Sequence, residues 1–168
     1  MEGKPVRESA SEYSELALPN DANGLGHVLG GKVMHLVDLA GAIAAMRHAR
    51  KPVVTASVDG LHFLQPVHIG ELIVLNSSVN RVFRTSMEVG VKVVTENLMT
   101  GERLHTCSAH LTFVALDENG TATPIPPVVP ETDQEKRRFR EAGERREYRL
   151  SKRGQTHLPP LTPPCTCT

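Results

Sequence analysis

The sequence predicts an α+β fold in which one long buried helix lies on an antiparallel sheet. Two observations carry this. Lys32–His48 repeats apolar residues at helical spacing and is apolar nearly all round, as a helix covered on more than one side is. Beyond Pro52 the period changes to two and holds through four long segments separated by turn-type sequences, the pattern of hairpin-connected strands. A single helix covers only part of such a sheet, so a second copy of the chain is expected to cover the rest.

Residues 1–10 are polar and expected to be flexible. Ser11–Leu18 alternates loosely, as a short strand does, and Pro19–Gly31 is a loop rich in Gly, Asn and Asp. In the helix, Val33, Leu36, Val37, Ala40, Ile43 and Ala44 share one face. The opposite face carries His35 and Asp38 among Leu39, Ala42, Ala45 and Met46. Arg47, His48 and Arg50 complement its C-terminal dipole, and Pro52 stops it.

Val53–His62 is expected to set Val54, Ala56 and Val58 against Thr55, Ser57 and Asp59. Gly70–Phe83 is rich in β-branched residues, and Ser86–Glu96 places Met87, Val89, Val91 and Val93 on one face. Glu102–Leu116 places Cys107, Ala109, Leu111 and Phe113 on one face and Thr106, Ser108, His110 and Thr112 on the other. Phe83–Ser86 and Asn97–Glu102 read as hairpin connections, and Asp117–Gly120 as a turn. Pro124–Pro130 is a stiff linker. Glu131–Lys152 is a charged helix with Thr132 and Glu135 spaced as a capping box. The expected organisation is a flexible 1–10, a globular 11–123, a linker and helix over 124–152, and a disordered Pro/Thr-rich tail over 153–168.

Composition narrows the function. With 19 basic and 19 acidic residues the chain has no net charge, so no broad basic field exists for nucleic acid or an anionic membrane. Trp is absent and Phe plus Tyr number six, too few for a base-stacking platform. No apolar run approaches the roughly 20 residues of a membrane span, and the N-terminus has no signal-like apolar region. Three cysteines make no disulfide framework, so a cytoplasmic setting is expected.

Three constellations could carry chemistry. Gly30–Gly31 stands directly before the helix, whose first-turn N–H groups are unpaired and can stabilise an oxyanion. Asn23 precedes the pair, and Asp38 lies two turns into the helix on its less regular face. Asp38 reads either as a functional acid or as a solvated helix residue. His105, Cys107 and His110 suggest a metal, but in a regular strand 105 and 107 share a face that 110 does not, so no metal is expected. Cys107 reads as a core thiol. Arginines of the last helix, among them Arg145 and Arg146, read as a solvated face or as phosphate ligands.

The ordered blocks NDANGLGHVLGGKVMHLVDLAGAIAAMRH, VVTASVDGLHF, GE, FRTSMEVGVKV, SAHLTFVALDENG and PPVVPETDQEKRRF resemble the acyl-CoA thioesterases of the hotdog fold. The branch is the one that includes brain acyl-CoA hydrolase and its single-domain bacterial relatives, and the similarity runs from about Ser11 to Lys152. The resemblance implies an antiparallel sheet wrapped round the central helix. It implies a dimer with a continuous sheet, assembled further into a hexamer, and hydrolysis of acyl-CoA to fatty acid and CoA without a cofactor. It assigns catalysis to Asn23 and Asp38, supplied by opposite partners, with amides at Gly30 and Gly31. It assigns CoA contacts to Thr55, Ala56 and Ser57, to Arg84, Thr85 and Ser86, and to Arg145 or Arg146. Leu29 stands where many relatives have His. The rival functions are a hotdog hydratase or dehydratase using His35 with Asp38, and an acyl-CoA sensor. The latter needs a DNA-reading element that the ten residues before the first strand do not accommodate.

Overall fold

The computed structural model describes residues 1–153; past Arg153, the tail expected to be disordered lies outside the described residues. The main sheet is antiparallel, in the order β2 (Ser11–Leu16), β4 (Leu72–Val82), β5 (Ser86–Glu96), β6 (Arg103–Ala115), β3 (Val53–Asp59). Helix α1 (Gly30–Ala49) lies across one face and α2 (Asp133–Arg153) against the other. The core joins Val33, Leu36, Val37, Ala40 and Ala44 of α1 to Leu75, Val89, Leu111 and Phe113 of the sheet. At Gly41 the helix approaches the sheet so closely that a Cβ would stand 3.0 Å from the Phe113 ring. None of the helices among the described residues is long and apolar enough to cross a membrane.

The first ten residues are not frayed. Lys4–Pro5 (β1) pairs in parallel with Val128–Val129 (β7) of the Pro-rich linker. Val6 is buried, and the Ser9 hydroxyl accepts from the Val79 N–H at 2.9 Å while donating to the Val6 carbonyl at 2.7 Å. Polar composition concealed a segment whose backbone is paired with the linker and whose Ser9 hydroxyl meets a β4 amide. The linker also crosses the far end of α1, where the His48 ring Nε2 lies 2.8 Å from the Pro126 carbonyl.

Two β-bulges redirect side chains that strict alternation misplaces. Thr55 pairs with Phe113 and Ser57 with Thr112, which leaves Ala56 as the extra residue. Thr55 therefore faces α1 with Phe113, whereas Ser57 and Asp59 face α2. In β6, Val93 pairs with Cys107 and Val94 with His105, skipping Thr106. His105 consequently turns to the Ser108 side, its Nε2 2.9 Å from the Ser108 hydroxyl, rather than sharing a face with Cys107. Among the described residues no three His, Cys, Asp or Glu side chains converge as a metal site needs. Cys107 is buried, and burial pushes its thiol up to about 11, which removes it as a nucleophile.

Helix α2 carries the capping box that its sequence spells. Thr132 Oγ1 accepts from the Glu135 N–H at 3.2 Å, and Glu135 Oε2 accepts from the Thr132 N–H at 2.9 Å.

Candidate active site

The loop before α1 is organised by Asn23. Its Oδ1 accepts from the N–H of Leu25 at 2.9 Å and of His27 at 3.1 Å, and its own N–H donates to the His27 carbonyl at 2.6 Å. The side-chain oxygen is thus spent on the loop, and the side-chain NH2 remains as the donor. Val28 N–H closes the loop on the Val67 carbonyl at 2.8 Å.

Gly30 and Gly31 are the first two residues of α1 rather than the loop's last, with Leu29 at the N-cap. Leu29 offers no side-chain acceptor, and the N–H groups of Gly30 and Gly31 have no partner among the described residues. This helix start therefore keeps its donors and the positive end of its dipole open. A Cβ at Gly31 would meet nothing within 4 Å, so packing within the chain does not require glycine there.

Asp38 is half-buried, and its Oδ1 accepts from Thr55 Oγ1 at 2.6 Å. The bulge at Ala56 is what aims Thr55 at the helix. Asp38 follows Gly30 and Gly31 along α1 by about 10–12 Å at about 1.5 Å per residue. Gly31, His35, Asp38 and Ala42 share a stripe of α1 flanked by the exposed Met34, Leu39 and Met46. Beside this stripe, β3 is an edge strand with Val54 and Val58 exposed. No hydrogen bond joins His35 to Asp38 among the described residues; the Asp38 oxygen that is bonded goes to Thr55.

On the opposite sheet face a cleft of about 820 Å³ opens between α2 and strands β3, β5 and β6. Of the expected CoA contacts, Ala56, Ser57, Ser86, Arg145 and Arg146 line it. Thr55 lies on the other face, at Asp38, and Arg84 and Thr85 do not line the cleft; their carbonyls accept from Ile125 and Ala115. Arg145 and Arg146 have different employment. The Arg145 fork is committed to Glu88, with Nη2 to Oε1 at 2.7 Å and Nε to Oε2 at 3.1 Å. The Arg146 guanidinium stacks over the Phe83 ring at 4.2 Å and has no carboxylate partner among the described residues. Arg149, which lines the cleft too, pairs with Asp59. Burial, and then the Arg145 charge, holds the nearby His110 below its ordinary pKa. Phe83, Tyr148 and the buried Glu88 were absent from the expected set, whereas Arg149 was among the last-helix arginines read as a solvated face or as phosphate ligands.

The sequence model of the thioesterase superfamily matches residues 25–102. An uncharacterized acyl-CoA thioester hydrolase of Bacillus subtilis, YkhA, is 45% identical over 129 residues, covering 77% of this chain and 75% of the relative. The chain belongs to the thioesterase superfamily. Among solved structures, an apo-hexameric acyl-CoA thioesterase is 42% identical with a TM-score of 0.88, over 91% of this chain and 98% of that one. An acyl-CoA hydrolase of Staphylococcus aureus, solved with butyryl coenzyme A, coenzyme A and coenzyme A disulfide, is 34% identical with a TM-score of 0.85, over 91% and 93%. Variants of that hydrolase with an aspartate, an asparagine or a threonine changed to alanine are also solved. As a hotdog thioesterase-superfamily member, the chain places its open helix start and Asp38 on α1, on one face of the sheet, and its arginine-lined cleft on the other.

Proposed function

We propose that this chain hydrolyses acyl-CoA thioesters to free acid and CoA, in a site shared by two copies and in a cytoplasmic setting. The observation that carries the proposal is the separation on α1. Open amides and a carboxylate occupy one helix stripe, yet about 10–12 Å divides them, too far to meet on one thioester group. Two antiparallel copies of α1 bring one copy's Asp38 to the other copy's Asn23 and Gly30–Gly31. The free edge of β3, with Val54 and Val58 exposed, joins its counterpart in the same dimer, making the sheet continuous. Dimers assemble further, in keeping with the hexameric relative.

Thr55 occupies Oδ1 of Asp38 and leaves Oδ2 for chemistry. Oδ2 either takes a proton from the attacking water or attacks the carbonyl carbon itself to give an anhydride that water then opens. In both routes the C–S bond breaks and CoA leaves as its thiol. The partner's Gly30–Gly31 amides and Asn23 NH2 hold the carbonyl oxygen as it gains charge. The CoA nucleotide lies in the outer cleft, where Arg146 and Lys152 are the cations without a carboxylate partner among the described residues.

A thiol-release assay over acyl-CoAs of increasing chain length tests the activity. Stoichiometric CoA and free acid are expected; binding without release would make the chain a sensor. Gly31→Ala tests the helix start. Ala is the better helix former by up to about 1 kcal/mol, so Tm should hold or rise. Turnover should fall about tenfold or more, because a methyl group enters the space reserved for the carbonyl and holds its oxygen away from the amide donors. Wild-type turnover in Gly31→Ala would leave that helix start without a role.

A further inference from the structure

The docking of α2 poses a question of its own. A helix held to a sheet for stability alone presents an apolar stripe, yet among the described residues of α2 only Ala142 is fully buried, with Phe139 partly so. The helix is held instead by ionic and polar contacts. Glu88, on β5 and 0% exposed, receives the Arg145 fork and, on Oε1, the Asn80 side-chain NH2 at 3.0 Å. Arg149 pairs with Asp59 and approaches Glu88 Oε2 at 3.9 Å. Arg81 donates to the Phe139 carbonyl at 3.3 Å and passes so close to Gly143 that a Cβ there would collide with its guanidinium. A buried ion pair is a weak way to gain stability, since well-packed apolar side chains often do as well, but it fixes orientation.

We infer that Glu88 is a positioning residue for CoA recognition, acting through α2; this rests on the acyl-CoA reading above. Arg145 and Arg146 are successive residues, about 100° apart round the helix axis. Holding Arg145 down on Glu88 sets the rotation of α2, and that rotation presents Arg146 over Phe83 at the cleft. Ser86, two residues before Glu88 on the same strand face, lines the cleft as well, so one stretch of β5 supplies both the cleft's floor and the anchor of its wall. Glu88 touches no part of the cleft itself. Its effect therefore falls on binding of the nucleotide end and not on the thioester chemistry.

The test compares KM for an acyl-CoA with KM for the matching acyl-pantetheine, which lacks the nucleotide and its phosphates. In Glu88→Gln, with folding checked by circular dichroism, KM for acyl-CoA is expected to rise about tenfold, the loss typical of one charge-assisted contact. kcat and the KM for acyl-pantetheine should stay put. If Glu88→Gln does not fold, Glu88→Asp, which keeps the charge but shortens its reach to the Arg145 fork, is read in the same way. A KM ratio unchanged in the folded variant, or equal losses on both substrates, overturns the inference. Arg146→Ala separates the two levels. If it raises KM for acyl-CoA and Glu88→Gln does not, the positioning role fails and the cleft reading stands. If Arg146→Ala has no effect either, the cleft reading fails with it.

Discussion

Asp38→Asn is expected to lower turnover of acyl-CoA by roughly 10²–10⁴ with little change in Tm. The substitution is isosteric, and an amide oxygen still accepts the Thr55 hydroxyl that now reaches Oδ1 at 2.6 Å. What disappears is the second carboxylate oxygen, which in the proposed reaction takes the proton of water or attacks the thioester. An amide does neither at neutral pH. KM should move little, because the carboxylate contributes to the reaction step more than to holding the CoA moiety in the remote cleft. Saturating turnover and thermal melting, measured on one preparation, separate this from loss of fold. Near-normal turnover in the folded variant would remove Asp38 from the chemistry.

The order of elements was legible because each carries its own period. Met87, Val89, Val91 and Val93 alternate without interruption, and all four are buried as the pattern requires. Asp38 was legible because an acid on a helix apolar nearly all round has few structural reasons to be there. Thr55 as its partner was not, because the extra residue at Ala56 leaves no periodic trace and alternation grouped Thr55 with Ser57. Neither Glu88 nor Asp59 could be assigned a partner from local pattern, because the arginines that meet them come from a helix far along the chain. Arg145 and Arg146 could not be told apart for a related reason: their different tasks depend on the rotation of α2, which no local pattern encodes. Residues 1–10 misled in the same way, since the parallel pairing of Lys4–Pro5 with Val128–Val129 is backbone chemistry between segments with no strand period of their own.

The central claim is that each site is built from two chains, and mixing two inactive variants measures it directly. Asn23→Ala removes the loop's side-chain amide, and Asp38→Asn removes the carboxylate, so each homo-oligomer should be inactive. Heterodimers formed by subunit exchange hold one site with both residues intact and one site lacking both. Random exchange of equal amounts makes about half the dimers mixed, so about a quarter of wild-type activity should return. If mass spectrometry shows complete exchange and activity stays at the level of the separate variants, the shared site is contradicted and Asn23 and Asp38 do not act together across the interface.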